Sequence, residues 1–427
     1  MKRQFGDNTC CLSIVIPCLN EANNLKELLP LIAEFISDVI DYEVIVVDGG
    51  SRDSTVQVAE RLGAIAITQQ GEGYGSALKS GFVRARGEYI LTMDGDLSHH
   101  PSFIPNMIRR RKEADVIIAS RYIRNGHSRD IFSRKLMSLL LNKTFKLVVS
   151  LPVEDVSSGF RLYRREVLES IDIEVANYNV LQEILLKLYV KGYSIKEISF
   201  HYKPRYKGRS KARIIRSGLE YFRYLPVAWR LRNSIRSADY EERAFHSRNL
   251  LQKYWQRKRY EIIVDAVGNA KDVLDSGSGS SMIMEALPHA LALDIQMNKL
   301  RFLANRGHNK LVQGNVCTLP FADKQFDCVI LSQVIEHLPK EGVILDECVR
   351  VLRDGGKLIL GTPDYSTVLW PIFEWMYGIV HPIGYVQDHI SHYTLQSCIE
   401  ELEKRGLKTQ YYRYILRSEL IIVATAD

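Results

Sequence analysis

YILTMDGDLSHHPS, residues 89–102, joins a short apolar run to two aspartates separated by one glycine, followed by two histidines and a proline. A buried strand whose carboxyl end carries a binding site has this pattern. Toward the amino terminus, β-branched runs alternate with helical patterns. LSIVIP is followed by a helix from about Asn24, YEVIVVDGGS by a helix over Asp53 to Leu62, and AIAIT by a helix near Ala77 to Ala85. The alternation predicts an open, mostly parallel sheet with polar residues gathered beyond the strand carboxyl ends. Pro17, Asn20 and Glu21 follow the first strand, Asp48 the second, and Asp94 with Asp96 the fourth.

In extended backbone, residues two apart point the same way, so Asp94 and Asp96 can present both carboxylates to one object. Hard oxygen donors suit Mg²⁺ or Mn²⁺, which share their coordination with substrate phosphates. The competing reading is an aspartate N-cap on a helix beginning near SHHPSF. Acidic residues at the ends of neighbouring strands favour the cation.

A chain of 427 residues is too long for one ordinary core and suits two domains. Its hydrophobic fraction of 46% and charged fraction of 25% are those of a globular protein, and its net charge of +7 is modest for the length. The seven cysteines are scattered without zinc-site spacing, which suits a reducing compartment. The apolar part of MKRQFGDNTCCLSIVIPCLNE reads as a first buried strand in preference to a signal peptide. No uninterrupted apolar run reaches the ~20 residues of a membrane-spanning helix.

SIVIPCLNE, VIVVDGGSRDST, GEGYGSALKSGF, YILTMDGDLSHHP, IIASRYIRNG, DVSSGFRLYRREV and PRYKGRSK, in that order, resemble the family-2 glycosyltransferases of the dolichol-phosphate mannosyltransferase (polyprenol-phosphate glycosyltransferase) type, over about Ser13 to Lys211. The resemblance implies a glycosyltransferase A fold and a DxD element at Asp94 and Asp96 for the metal and nucleotide-sugar diphosphate. Pro17, Asn20 and Glu21 would border the nucleotide, Asp48 would contact its base, and Gly73, Gly75 and Ala77 would shape the loop beside the donor. Arg121, Arg205 and Lys211 would face phosphates. Gly49 stands where many members have a second aspartate, and Ser98 where some have a metal-binding glutamine. Ser98 therefore joins Asp94 and Asp96 as a candidate metal residue.

From Lys203 to Arg236 basic residues dominate, opposed only by Glu220 and interleaved with Tyr206, Tyr221, Phe222, Tyr224 and Trp229. SRKLMSLLLNKTFKLVVSL adds a basic, apolar amphipathic stretch. Together they suit an anionic membrane surface better than nucleic acid, for which no recognised binding signature is present.

The periodicity lapses in NSIRSADYEERAF and the alternating pattern then restarts with DVLDSGSGSS, ALALDI, KLVQGN, FDCVILSQ and KLILGT, closing on a pair around TQYYRYI and ELIIVATA. A strand running into spaced glycines, with Asp294 ending the next strand, is compatible with a dinucleotide site when taken alone. VLDSGSGS, LALDI, VQGNVCTLPF, FDCVILSQVIEHLP and RVLRDGGKLILGTP together resemble the class I S-adenosylmethionine-dependent methyltransferases, across about Asp272 to Thr425. By that resemblance Asp275, Gly277 and Gly279 surround the methionine part of S-adenosyl-L-methionine, Asp294 binds its ribose, and Asn315 with Val316 flanks its adenine. Ser278 and Ser281 depart from the frequent cysteine and third glycine. His337 is a candidate to orient or deprotonate a methyl acceptor, against the plainer reading of a packed helix-start histidine. The aromatic insertion YSTVLWPIFEWMYGIVHPIGYVQDHISHYT offers Trp370, Trp375, His381, His389 and His392 as possible acceptor contacts, the three histidines lacking a second spacing that would argue for metal.

The expected organisation is a glycosyltransferase domain at 1–235, a linker at 236–244 and a Rossmann-like methyltransferase domain at 245–427. The expected chemistry is metal-dependent, inverting sugar transfer from a GDP- or UDP-sugar to polyprenyl or dolichyl phosphate, coupled to methyl transfer onto a glycan or lipid-linked acceptor. The expected location is the cytoplasmic face of a membrane, held peripherally. Two alternatives stand beside it: a sugar hydroxyl as acceptor in cell-surface polysaccharide synthesis, and a non-catalytic methyltransferase domain.

Overall fold

The computed structural model describes residues 11–128, 132–202, 214–340, 343–373 and 389–426. It divides into two compact α/β units, one comprising residues 1–189 and 193–232, the other 190–192 and 233–427. Among the described residues no helix is long and apolar enough to cross a membrane.

The strands of the first unit are β1 (Leu12–Cys18), β2 (Tyr42–Asp48), β3 (Ile65–Thr68), β4 (Tyr89–Thr92), β5 (Val116–Ser120), β6 (His127–Ser128), β7 (Arg161–Arg164), β8 (Ile195–Ser199) and β9 (His201–Tyr202). Seven of them form a sheet in the order β3-β2-β1-β4-β7-β5-β8, while β6 and β9 pair separately. β7 runs antiparallel to β4 and β5, and the other pairings in the main sheet are parallel. Burial on both faces explains why β1 reads as a nearly continuous apolar run and not an alternating one. Helix Ala22–Ile36 buries Leu25, Leu28, Leu29, Ile32 and Ile36, the single stripe that a period of 3.6 residues produces. In register, Cys18 pairs with Asp48 and Asp48 with Thr68, so these parallel strands end together and expose one carboxyl edge.

The second unit contains β10 (Val273–Ser276), β11 (Leu291–Asp294), β12 (Leu311–Gln313), β13 (Phe326–Ser332), β14 (Leu352–Pro363), β15 (Leu407–Ile415) and β16 (Glu419–Ala426). Their order is β12-β11-β10-β13-β14-β16-β15. The central strands are parallel, and β16 is antiparallel to both β14 and β15, matching the closing pair expected from the sequence. The order reverses at β10, placing the glycine-rich turn after that strand at a topological switch point. These two sheets bear out the expected glycosyltransferase A and Rossmann-like methyltransferase architectures.

Helix Tyr240–Phe245 overlaps the segment 236–244 expected as a linker, and its residues group with the second unit. Helix Leu250–Val267 follows, its first turn capped by the Asn249 side chain, which accepts from the Leu251 and Gln252 amides.

Candidate functional site

At the carboxyl edge of the first sheet, Asp48 is buried and its Oδ2 accepts from the Gly50 and Ser51 amides, both at 3.0 Å. Its Oδ1 has no hydrogen-bond partner. A buried acceptor left open at a strand end suits a ligand N–H. The loop after β1 is fastened to the loop after β2. Asn20, at a φ of 51°, donates its amide to Ser51 Oγ and accepts from the Arg52 amide. Glu21 donates its amide to Thr55 Oγ1, and Asp53 accepts from the Ala22 and Thr55 amides. Asp53 was not singled out from sequence; its position in SRDST is the signal that could have found this brace.

Asp94 follows β4 and is partly exposed. Its amide donates to His99 Nδ1 at 3.0 Å, and Tyr74 donates its hydroxyl to Asp94 Oδ1 at 3.3 Å. Burial pushes the His99 imidazole down, outweighing the opposite pull of Asp94 and Asp96. The ring stacks on Phe160 with centroids 5.0 Å apart, so a neutral, immobilised histidine supports the aspartate backbone. Asp96 is buried, and its Oδ1 accepts from the Ser98 amide at 3.0 Å and the Ser98 hydroxyl at 2.5 Å. Ser98 thus closes a local turn on Asp96.

Gly73 and Gly75 have a steric explanation. A Cβ on Gly75 would lie 2.2 Å from the Val175 carbonyl oxygen, and one on Gly73 2.5 Å from that of Ala176. The Gly75 amide donates to the same Ala176 carbonyl at 2.6 Å, and Ala77 is buried behind the turn. Pro17 sits in β1, paired with Val47.

Arg121 occupies a different setting from the phosphate-facing one expected. Its Nε and Nη2 donate to the two oxygens of Asp155, each at 2.8 Å, and its amide donates to Asp155 Oδ2 at 3.0 Å. Asp155 is completely buried and the Arg121 side chain is 12% exposed. Burial acts to raise the Asp155 pKa, but the guanidinium outweighs it and holds the carboxyl below the usual range. Arg205 and Lys211 lie outside the described residues.

In the second unit a cavity of about 600 Å³ opens over the ends of β10 and β11. Asp275, Gly277, Gly279, Asp294, Asn315, Val316 and His337 all line it, so the residues implied by the methyltransferase resemblance converge. Asp294 accepts from the Gly279 amide at 2.8 Å and the Gln296 amide at 2.7 Å. Gly277 has a φ of 79°, and a Cβ there would meet Val334 Cγ2 at 2.5 Å. Asp275 Oδ2 is buried without a partner, and burial, with Asp294 nearby, pushes this carboxyl up to about 7. Asn315 turns its carbonyl oxygen onto the Cys317 amide at 2.9 Å.

Glu241, from helix Tyr240–Phe245, also lines this cavity. It accepts from the Ser280 amide at 3.3 Å and pairs with the buried Lys299, whose Nζ lies 2.8 and 2.7 Å from its two oxygens. Sequence reading missed both, because the acid and the base are separated by 58 residues. Trp370 corrects an expectation: it is 5% exposed and packs on Trp255 at 5.9 Å, making it part of the core and not an acceptor platform. His389 lines the cavity, His392 stacks on Tyr365 at 4.1 Å, and Trp375 and His381 lie outside the described residues.

An acidic strand edge in one α/β unit and a glycine-loop cavity in the other define a sugar-nucleotide transferase fold joined to a methyltransferase fold. Residues 13–172 match Glycosyl transferase family 2, and residues 274–360 match the family described as Methyltransferase domain. The chain therefore contains a family 2 glycosyl transferase domain and a methyltransferase domain. A dolichol-phosphate mannosyltransferase of Pyrococcus furiosus is 34% identical over 52% of this chain and 63% of its own length. A low-salt glycan biosynthesis hexosyltransferase of Haloferax volcanii is 29% identical over 51% of this chain and 53% of its own. An undecaprenyl-phosphate 4-deoxy-4-formamido-L-arabinose transferase of Shewanella sediminis is 31% identical over 49% of this chain and 63% of its own. The chain thus spans between 53% and 63% of the lengths of these relatives. Among solved structures, glucosyl-3-phosphoglycerate synthase from Mycobacterium tuberculosis aligns with a TM-score of 0.42 and 20% identity, covering 52% of this chain and 80% of that one.

Proposed function

We propose that the first unit transfers a hexose, mannose or glucose, from a GDP- or UDP-sugar to a polyprenyl or dolichyl phosphate with inversion. The second unit, on this reading, transfers a methyl group from S-adenosyl-L-methionine to a glycan or lipid-linked acceptor. The observation that carries it is the open Asp48 acceptor at the same sheet edge as the Asp94–Asp96 turn, in a chain similar to transferases named for dolichol and undecaprenyl phosphates.

Asp94 and Asp96 are hard oxygen donors at a strand end, and they fit Mg²⁺ or Mn²⁺. A bound cation would neutralise charge on the donor diphosphate and make it a better leaving group. Asp48 would receive a base N–H through Oδ1, while the braced Asn20–Glu21 loop borders the nucleotide. Tyr74 and His99 hold the Asp94 side chain and backbone in place. Arg205 and Lys211 would meet phosphates, whereas Arg121 contributes through its pair with Asp155. The acceptor phosphate is already anionic and attacks the anomeric carbon without a strong general base.

For the methyl donor, the fit rests on the partnerless Asp275 oxygen, the Gly277 turn and Asp294 in one cavity. The sulfonium supplies an electrophilic methyl group; Asp294 would take ribose hydroxyls, and Asn315 with Val316 would border adenine.

Peripheral attachment to the anionic cytoplasmic face of a membrane is supported by helices Phe132–Val149 and Ile214–Asn233. They expose Leu139, Leu140, Leu147, Phe222, Val227 and Trp229 among Lys143, Lys146, Arg223 and Arg230. Incubation of the full chain with labelled nucleotide sugar and polyprenyl phosphate should move label into the organic phase, and EDTA should stop it. Asp96→Ala is expected to be nearly inactive; undiminished transfer by this variant overturns the metal assignment.

A further inference from the structure

The loop after β13 enters the short helix Ile335–His337, which brings Glu336 and His337 beside His389, a residue far along the chain. Their ligand atoms, one carboxylate oxygen and one nitrogen from each ring, all lie within 4.8 Å of one another. The assembly is braced: the Glu336 carbonyl oxygen accepts from the Ile390 amide at 2.8 Å and the Ser391 amide at 3.0 Å. This pins the strand of chain bearing His389 against the turn bearing the other two residues.

Glu336 is fully buried and its Oε1 has no hydrogen-bond partner, while Oε2 receives only a long 3.3 Å contact from Thr362 Oγ1. A buried carboxyl oxygen left without a partner is costly unless a ligand satisfies it. Both histidines line the cavity that also contains Gly277, Gly279 and Asp294. Tyr365 Oη lies 2.8 Å from His389 Nδ1, an outer hydrogen bond of the kind that fixes an imidazole while its other nitrogen binds a metal.

We propose that Glu336, His337 and His389 form a divalent transition-metal site on the wall of the methyl-donor cavity. Two imidazoles and one carboxylate suit Zn²⁺, and three protein ligands leave a fourth position for an acceptor oxygen. Ligand atoms about 2.0–2.1 Å from a tetrahedral zinc lie roughly 3.4 Å apart, a separation that small ring rotations can reach from the observed cluster. The cation would hold an acceptor hydroxyl and favour loss of its proton to water. The oxygen pair would then form the bond to the methyl carbon as the carbon–sulfur bond breaks and its electrons remain on sulfur. The acceptor role rests on the methyltransferase reading above; the metal site itself does not.

The test uses full-length protein carrying Asp94→Ala and Asp96→Ala, which removes the other candidate cation site. Equilibrium dialysis against Zn²⁺, with metal counted by mass spectrometry, should find one bound equivalent. Adding His389→Gln should weaken binding by well over tenfold, and Tyr365→Phe, which keeps all three ligands, by about tenfold. Unchanged thermal transitions would confirm that both variants remain folded. Absence of stoichiometric Zn²⁺ in the parent, or equal retention by the folded His389→Gln variant, overturns the site. Calorimetry with S-adenosyl-L-methionine is scored separately: cofactor binding without zinc refutes this inference alone, and zinc binding without cofactor refutes the methyltransferase reading alone.

Discussion

Replacing Asp155 with asparagine separates two roles for Arg121 that sequence motifs cannot distinguish. In the native structure the Asp155 carboxylate accepts two side-chain bonds and one amide bond from Arg121, while Ser157 Oγ contacts both residues. The aspartate is wholly buried, so Asp155→Asn removes a charge and leaves a guanidinium that water cannot easily resolvate. Breaking a buried pair from one side costs about 3–5 kcal/mol. At roughly 2–4 °C per kcal/mol for a unit of this size, the transition should fall by about 10 °C. Differential scanning calorimetry of the full chain would measure the loss, and hydrogen exchange of peptides covering β5 and β7 would assign it to this unit. Replacing both partners by apolar residues, Arg121→Met with Asp155→Leu, should cost less than Asp155→Asn alone. The pH dependence has a definite sign. Because the folded-state pKa of Asp155 is lowered, the pair's stabilisation is present above the ordinary carboxyl value and disappears as pH falls through the folded value. The asparagine variant should lack that acid sensitivity. A cost under about 1 kcal/mol, the range of solvent-screened pairs, would refute the buried-pair reasoning and return Arg121 to the phosphates.

Gly75→Ala should destabilise the first unit by about 1–3 kcal/mol, read as a lower thermal transition, because its Cβ would lie 2.2 Å from the Val175 carbonyl oxygen. An unchanged transition would mean that segment 175–176 yields freely. Asp294→Ala should weaken S-adenosyl-L-methionine binding about 100-fold by calorimetry, given about 1.5–3 kcal/mol for each hydrogen bond to a charged group; a loss below tenfold would remove the ribose role. The ligand-free methyltransferase unit should lose stability between about pH 4 and pH 7. Asp275 has a folded pKa pushed up to about 7, so its contribution is complete below the unfolded value and lost as pH rises through the folded one. The upper bound is about 4 kcal/mol, and Asp275→Asn should flatten the thermal-shift profile over that range.

The amino-acid sequence by itself determined two alternating α/β patterns and the polar ends of their strands. That information is local: a strand buried on both faces needs a continuous apolar run, and its end is marked where Asp48, Asp94 or Asp294 interrupts the run. The closing pair of strands was legible for the same reason, and its antiparallel direction came from the structure. Tertiary structure decided how buried polar groups are satisfied, because their partners come from distant segments. β7 carries Arg161 into the core, where its guanidinium reaches the Leu181 and Val156 carbonyls, a fate that charge alone argues against. Gly73 and Gly75 owe their identity to backbone about 100 residues later, and Glu241 reaches Lys299 only after its helix settles on the glycine turn. Trp370 likewise turned from a candidate surface into core once Trp255 packed against it. Periodicity records which face of an element is buried, but it carries no record of which distant donor, acceptor or metal ligand meets that face when the chain closes.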